Sequence, residues 1–81
     1  MNKKDIEKII KKWFVKKKKK FNLNRNLFEE GTIDSFEVID FISFLEKEFK
    51  IKFKSTEFQN PKFMIIKNLI ISIFNKLNVR L

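Results

Sequence analysis

The sequence predicts an all-α protein, a small bundle of three to four helices. Three stretches repeat apolar residues at the spacing of one helix face, and no stretch shows the alternation of a strand. The chain has 81 residues, of which 43% are hydrophobic, and this is enough for one small core. Residues 1–81 are therefore expected to form a single domain.

The first helix is predicted over about residues 3–18. Its apolar residues follow the i, i+3, i+4, i+7 and i+8 spacing of one helix face. They are Ile6, Ile9, Ile10, Trp13 and Phe14. Asn2 or Asp5 would cap its start, and the lysine run Lys16 to Lys20 lies at its end, where cations suit the helix dipole. This run is expected to be a solvated helix end.

An asparagine-rich loop, FNLNRNLFEEGT, is predicted before the second helix. It is long for a loop without a functional reason, and four apolar residues are expected to hold it to the core. They are Leu23, Leu27, Phe28 and Ile33.

The second helix is predicted over about residues 35–49. Asp34 and Glu37 have the spacing of a capping box, with Asp34 as the N-cap. The expected core face consists of Val38, Phe41, Ile42, Leu45 and Phe49.

The last helix is predicted over about residues 62–77, with Pro61 suited to its first turn and a possible short helix before it at about 55–59. Its core stripe is expected to contain Phe63, Ile66, Ile70, Ile73, Phe74 and Leu77. Met64 and Ile71 would form a second patch about 90° away on the same helix.

The composition argues against catalysis and against a membrane span. The chain contains neither cysteine nor histidine, so it lacks a thiolate, the commonest general base and the usual zinc ligand. No apolar run approaches the roughly 20 residues that cross a bilayer, and the charged N-terminal stretch is unlike a signal peptide. A non-enzymatic, metal-free, cytoplasmic protein is expected.

The charge is unevenly distributed along the chain. The formal net charge is +9, and residues 1–20 hold ten lysines. Residues 27–49 instead hold seven carboxylates and one lysine. Nucleic acid or an anionic membrane is the obvious partner for such a charge, but Lys, Asn, Ile and Phe dominate the chain as they do where the coding DNA is rich in A and T. The acidic segment is therefore the more informative feature.

The segment LFEEGTIDSFEVIDFISFLEKEFKIKF resembles the acyl carrier proteins, and more closely their aminoacyl, D-alanyl and peptidyl carrier relatives. The family's Gly-x-x-Asp-Ser lead-in is present from Gly31 to Ser35, with Phe36 where the usual motif has leucine. The family's Leu-Glu-x-x-Phe motif, which stands at the end of this helix, ends here at Phe49. The stretch STEFQNPKFMIIKNL is similar to the corresponding stretch of the aminoacyl carrier proteins. The resemblance covers roughly residues 5–77.

The resemblance implies a bundle of the acyl-carrier type in which Ser35 carries covalent 4′-phosphopantetheine from coenzyme A. The thiol of that group would hold an acyl or aminoacyl cargo as a thioester, in lipid or secondary-metabolite biosynthesis. Asp34 would cap the helix and help to position the modifying enzyme. The implied partners are a phosphopantetheinyl transferase, an ATP-dependent acyl or aminoacyl ligase and a downstream acyl-accepting enzyme. The alternative is that Ser35 is an ordinary first-turn serine.

Five further residues are candidates for partner docking: Phe36, Glu37, Asp40, Met64 and Ile71. In the family, cationic patches on partner enzymes read the acidic second helix, so Glu37 and Asp40 would attract them; alternatively they form a solvated face. Phe36 is either an exposed docking residue or a half-buried staple. Met64 and Ile71 either line the same groove or are surplus apolar residues of the last helix.

The expected core of large rings, with no alanine to leave space, would resist opening for a long acyl chain. This favours an amino acid or a small acyl group as cargo. A different class of function stays open: a small basic module binding nucleic acid or an anionic membrane, with Trp13 and Phe14 on the membrane side of the first helix. For the carrier, no nucleic acid, no stable membrane association and a monomer are expected.

Overall fold

The computed structural model describes residues 1–78 and shows three α-helices with one short 3₁₀ helix. The helices are α1 (Lys3–Lys16), α2 (Ser35–Phe49) and α3 (Ile66–Asn78), and the 3₁₀ helix spans Ser55–Gln59 between α2 and α3. Within the described residues, β-structure is limited to one isolated antiparallel bridge between Asn26 and Ile65. The predicted all-α bundle of the acyl-carrier type is confirmed.

The first helix begins in a capping box formed by Asn2 and Asp5. The Asn2 Oδ1 atom accepts a hydrogen bond from the Asp5 amide at 2.8 Å, and the Asp5 carboxylate accepts one from the Asn2 amide at 3.3 Å. Both candidate caps are thus used, which satisfies backbone donors that the helix cannot pair internally.

The end of α1 is sharper than the sequence predicts, since the helix stops at Lys16 rather than at about residue 18. Lys18 adopts a left-handed conformation with φ of 57°. The Lys18 amide donates to the Val15 carbonyl at 3.1 Å, and the Lys19 amide donates to the Phe14 carbonyl at 2.9 Å. These two bonds form a Schellman motif, which turns the chain out of the helix and directs Lys19 away from its axis.

The core is rich in aromatic rings where α1 meets α2. Phe41 lies 4.8 Å from Trp13 and 5.6 Å from Phe14 between ring centroids, the latter pair edge to face. Such ring pairs stabilise a core beyond the area that they bury. The buried apolar residues are Ile6, Ile10, Trp13, Phe14, Leu27, Ile33, Phe41, Leu45, Phe49, Ile51, Phe63, Met64, Ile66, Leu69, Ile70 and Ile73.

The burial of Trp13 and Phe14 corrects the sequence-based alternative of a membrane-facing α1. Their side chains are 5% and 0% exposed, and they pack on Phe41 instead of reaching solvent. The apolar face of α1 is therefore fully used by the protein's own core. In the described part of the chain, no helix is long and apolar enough to cross a membrane.

The third helix begins at Ile66, four residues later than predicted. The Met64 carbonyl accepts from the Leu27 amide at 3.1 Å, and the Asn68 amide donates to Ile65 rather than to Met64. Because the loop occupies this carbonyl, residues 61–64 form turns. Pro61, Phe63 and Met64 therefore precede α3, and Pro61 is not in its first turn.

The long connection between α1 and α2 is held by buried residues and by the segment before α3. Leu27 and Ile33 are buried as predicted, whereas Phe28 is 46% exposed and does not join the core. The Asn26 side chain donates to the Pro61 carbonyl at 2.9 Å, and the Lys67 amide donates to the Leu23 carbonyl at 3.0 Å. These bonds give the loop one defined path to the start of α2.

The left-handed residue that ends α1 generates a stability prediction. Lys18→Gly should raise the free energy of unfolding by about 1 kcal/mol, because glycine adopts positive φ without the steric cost that a lysine incurs. Urea denaturation followed by the fluorescence of Trp13 measures it. Lys12→Gly, in the exposed interior of α1, should lower stability by about 1 kcal/mol. Equal effects of the two substitutions would contradict this account.

Candidate functional site

The start of α2 is built around the carboxylate of Asp34. Its Oδ1 atom accepts hydrogen bonds from the amides of Phe36 at 3.0 Å and Glu37 at 2.8 Å, and Glu37 Oε1 accepts from the Asp34 amide at 3.5 Å. The predicted capping box is thereby confirmed. It fixes where the helix starts and places Ser35 as the first helical residue.

Ser35 lies exposed at this helix start. Within the described residues, its hydroxyl group has no hydrogen-bond partner. The amides of the first turn and the helix dipole together favour a negative charge here. An exposed, unpaired hydroxyl beside a helix N-terminus can therefore accept a phosphodiester without breaking an existing contact.

The backbone before Ser35 is folded by a tight turn at Gly31. Gly31 has φ of +69°, a conformation that residues with a Cβ atom rarely adopt. The amides of Thr32 and Ile33 both donate to the Leu27 carbonyl, at 3.1 and 3.3 Å. With Leu27 and Ile33 both buried, the turn delivers Asp34 and Ser35 from the core to the surface.

Lysines from the end of α1 contact the acidic side of α2. Lys19 Nζ lies 2.7 Å from Glu37 Oε2 and donates to the Thr32 carbonyl at 2.8 Å, and Lys17 Nζ lies 3.5 Å from Asp40 Oδ2. Glu37 and Asp40 do lie near the surface, as predicted, but each forms an ion pair within the chain. The expectation that the lysine run is only a solvated end is wrong for Lys17 and Lys19.

Among residues 1–78, Phe36 is the most exposed of the large hydrophobic residues, with 84% of its surface accessible. This high exposure excludes the alternative that Phe36 is half-buried as a hydrophobic staple. Ile39, one turn further along α2, is 68% exposed; the sequence interpretation missed it. The sequence spacing could have indicated that Ile39 is exposed, because Phe36 and Ile39 are three residues apart and so are neighbours on the helix surface.

An apolar groove of about 570 Å³ lies beside this exposed face of α2. One wall is formed by α2, and the other by the 3₁₀ helix and the turn before α3. The lining residues are Phe28, Val38, Ile39, Ile42, Ser43, Phe58, Asn60, Pro61 and Met64.

Met64 and Ile71 do not share a groove, which corrects the sequence-based pairing of the two. Met64 lines the groove beside α2, but its side chain is only 5% exposed. Ile71 is 44% exposed and lines a different depression together with Phe63 and Ser72. The pairing assumed that both residues lie on one helix, whereas Met64 belongs to the turn before α3.

The 3₁₀ helix that forms part of the groove wall is tied to α3 through Glu57. Its carboxylate accepts hydrogen bonds from Lys76 Nζ at 2.7 Å, Ser72 Oγ at 3.1 Å and the Lys54 amide at 2.8 Å. Partial burial alone would raise the pKa of Glu57, but the hydrogen bonds from Lys54, Lys76 and Ser72 outweigh it and hold the pKa below its ordinary value.

Comparison with known families agrees with this geometry. A family model for the phosphopantetheine attachment site matches residues 4–63, a range that includes α1 from its second residue, the loop, α2 and the 3₁₀ helix. The chain belongs to the phosphopantetheine attachment site family. No curated protein matches the chain. No solved structure matches it either.

Membership in this family confirms the resemblance to the acyl carrier proteins. Such domains are non-catalytic carriers and are the site of covalently attached 4′-phosphopantetheine. They interact with a phosphopantetheinyl transferase and with biosynthetic enzymes. The exposed hydroxyl group of Ser35 and the capped helix start fit the attachment of a phosphodiester-linked group.

The turn at Gly31 generates a prediction about the stability of the site. Gly31→Ala should lower the free energy of unfolding by about 1–2 kcal/mol, because a left-handed alanine is strained. A Cβ atom at this position would meet nothing within 4 Å, so the cost comes from the backbone alone. Gly31→Asn should cost less, since asparagine tolerates this conformation better. Thermal denaturation of both variants is the test, and an alanine variant as stable as the wild type would contradict it.

The lowered pKa of Glu57 generates a prediction about pH. The network stabilises the fold above the unfolded glutamate pKa of about 4.3, and this contribution is lost as the pH falls through the lower folded pKa. Glu57→Gln should therefore cost about 1–2 kcal/mol at neutral pH and less in acid. Urea denaturation at about pH 7 and about pH 3 measures both.

The matched control for this pH experiment is Glu48→Gln. Glu48 is exposed on α2, and within residues 1–78 it forms no ion pair. Its substitution should change stability little at either pH. If the cost of Glu57→Gln stayed the same in acid, the Glu57 network would not be the source of this pH dependence.

Proposed function

We propose that this carrier protein bears 4′-phosphopantetheine on Ser35 and delivers a thioester-bound cargo between partner enzymes. The observation that carries the proposal is the exposed, unpaired hydroxyl of Ser35 at the capped start of α2, within the matched family range. When attached, the group supplies a terminal thiol, which this cysteine-free chain does not have.

The neighbouring residues have distinct roles in this proposal. Asp34 uses its carboxylate to hold the first turn of α2, which presents Ser35 to the transferase in one orientation. The helix start favours the phosphodiester anion once it is formed. The chain's own task is thus to present the hydroxyl and to accommodate the charge, while the transferase performs the chemistry.

Partner docking is assigned to the exposed face of α2 that follows Ser35. Phe36 supplies exposed aromatic area, and large aromatic residues often dominate the energy of an interface. Glu37 and Asp40 lie on the same helix, and Met64 forms part of the adjoining groove. Ile71 lies outside this groove and is left out of the docking surface.

The cargo is proposed to be an amino acid or a small acyl group, loaded by an ATP-dependent ligase and passed to a downstream enzyme. Opening the interior between α1 and α2 would separate the Trp13–Phe41 and Phe14–Phe41 ring pairs. Phe14 and Phe41 are fully buried, so this separation would lose close packing as well as burial. A small cargo does not require it.

The attachment site is tested by intact mass spectrometry after incubation with coenzyme A, magnesium and a broad-specificity phosphopantetheinyl transferase. The wild type should gain the mass of one phosphopantetheinyl group. Ser35→Ala should gain nothing, because the accepting hydroxyl is removed.

Ser55→Ala is the matched control, since Ser55 is also an exposed serine at a helix start and does not line the groove. It should be modified as fully as the wild type. Modification of Ser35→Ala, or loss of modification in Ser55→Ala alone, would show that the wrong serine has been assigned. If the wild type stayed unmodified while the same transferase modified another carrier protein in parallel, this result would contradict the proposed function for that class of transferase.

A further inference from the structure

The outward face of α1 carries a stripe of lysines. Its residues follow the i, i+4, i+7, i+8 and i+11 spacing of one helix face and lie within an arc of about 100° around the helix axis. All of them are exposed to solvent. They are Lys4, Lys8, Lys11, Lys12 and Val15, and together they are called the lysine stripe below.

The lysine stripe lies on the opposite side of α1 from the core. Trp13 and Phe14, on the buried side, pack against Phe41 of α2. A partner that contacts the stripe therefore does not have to contact α2. The stripe is also separate from the groove beside α2, because none of its residues lines that groove.

The charges of the stripe are not neutralised by the chain itself. Among residues 1–78, none of its four lysines forms an ion pair, although Lys11 Nζ lies over the Phe21 ring, 6.0 Å from the centroid. Two carboxylates are present on α1 and form no ion pair in this range: Asp5 accepts a hydrogen bond from the Asn2 amide, and Glu7 is partly buried. Against these two, α1 holds six lysines.

The helix that packs beside α1 adds no carboxylate to this face, since α3 contains none. On α2, Glu37 and Asp40 are already paired with Lys19 and Lys17. Within residues 1–78, the other carboxylates without an ion pair lie outside α1 and α3. They are Glu29, Asp34, Glu46 and Glu48. The stripe is therefore a positively charged surface.

An apolar depression of about 240 Å³ lies at the N-terminal end of the stripe, between the starts of α1 and α3. Lys4 belongs both to the stripe and to the lining of this depression. The lining also includes the lysines Lys3 and Lys67, the carboxylate Glu7, and the apolar residues Ile70 and Ile71. Ile71 is 44% exposed, and Val15 near the other end of the stripe is 66% exposed. Exposed apolar side chains thus accompany the lysines at both ends.

The residue types of this face favour an anionic bilayer over a nucleic acid. The stripe has no arginine, amide or hydroxyl side chain, although such groups commonly accompany lysine in contacts to nucleic acids. Val15 and Ile71 would find no apolar partner on a sugar–phosphate backbone. At a bilayer surface, lysines meet the lipid phosphates while apolar side chains reach the boundary between head groups and acyl chains.

We propose that the lysine stripe binds reversibly to the surface of a bilayer that contains anionic phospholipids. Its four lysines would face the lipid phosphates, with Val15 and Ile71 at the boundary of the acyl chains. In this arrangement α1 lies on the surface and keeps Trp13 and Phe14 in the protein core, unlike a helix that inserts these two rings. The inference goes beyond the proposed function and uses no residue of the attachment site.

The first test measures co-sedimentation of the full chain with two kinds of vesicle at physiological salt. One kind contains phosphatidylcholine alone, and in the other about a third of the lipid is anionic phosphatidylglycerol. The chain should bind the anionic vesicles and not the neutral ones, and its affinity should fall as salt is added, because salt screens exposed charges. No binding to the anionic vesicles, or equal binding to both kinds, would overturn the proposal.

A triple substitution locates the binding on the stripe. Lys8→Gln, Lys11→Gln and Lys12→Gln together should lower the affinity for anionic vesicles about a hundredfold, since each lysine near an anionic surface contributes about fivefold. Glutamine and lysine have similar helix propensities, so α1 should be retained. Replacing the same three residues by arginine keeps the charge and should keep the affinity, which separates loss of charge from loss of folding.

The matched control removes three lysines from the connection between α2 and α3. Lys52, Lys54 and Lys62 are exposed and form no ion pair within residues 1–78, so replacing them by glutamine gives the same net charge as the triple substitution in α1. This control should lower the affinity less than about tenfold, because it leaves the stripe intact. Equal losses in the two triple variants would show attraction by net charge alone and would overturn the proposal.

Ile71→Ala tests the apolar part of this face. It should weaken binding to the anionic vesicles about threefold, because less apolar surface then reaches the boundary of the acyl chains. Phe58→Ala is the control, since Phe58 is 43% exposed but lines the groove beside α2, and it should leave the affinity unchanged. A loss with Phe58→Ala and none with Ile71→Ala would overturn the assignment of this face.

A DNA duplex measured at the same salt distinguishes the other anionic partner. Duplex binding that depends on Lys8, Lys11 and Lys12, together with no binding to anionic vesicles, would overturn the bilayer and assign the stripe to nucleic acid. Vesicle binding is measured without a transferase, so it does not depend on modification of Ser35. A failure of vesicle binding would leave the proposed function standing, and a failure of modification would leave the bilayer proposal standing.

Discussion

The ammonium group of Lys19 joins three parts of the chain beside the start of α2, where Ser35 lies. It donates to the Thr32 carbonyl in the loop and pairs with Glu37 on α2, while the Schellman turn at the end of α1 directs it there. The loop is shaped by Gly31 and by the Leu27 carbonyl just before these contacts. The end of α1, the loop and the start of α2 are thus connected through polar contacts above the aromatic core.

This connection changes the electrostatics expected of the carrier. In a chain of net charge +9, two acidic residues of α2, Glu37 and Asp40, form ion pairs with lysines of the same molecule. Surface ion pairs contribute little to stability individually, but they alter which charges a partner meets. Phe36 and Ile39 are exposed on the same helix, and apolar contacts are far less sensitive to salt than charge attraction is.

Much of the site could be predicted from local patterns, and the errors have a common cause. The capping box of Asp34 and Glu37 and the core face of α2 depend on residues three or four apart. The start of α3 depends instead on the Leu27 amide, which lies far away in sequence and takes the Met64 carbonyl. Placing Met64 and Ile71 on one helix failed for this reason. The roles of Lys17 and Lys19 also required knowing where α1 ends relative to α2.

By itself, the sequence determined the helical class, the faces that are buried and the position of Ser35 at a helix start. Each of these follows from short-range periodicity and capping, which residues a few positions apart establish without reference to the rest of the chain. Only the tertiary structure decided the course of the long loop, the late start of α3, the groove beside α2 and the neutralisation of Glu37 and Asp40. These depend on contacts between distant segments, whose geometry is set by packing of the whole core.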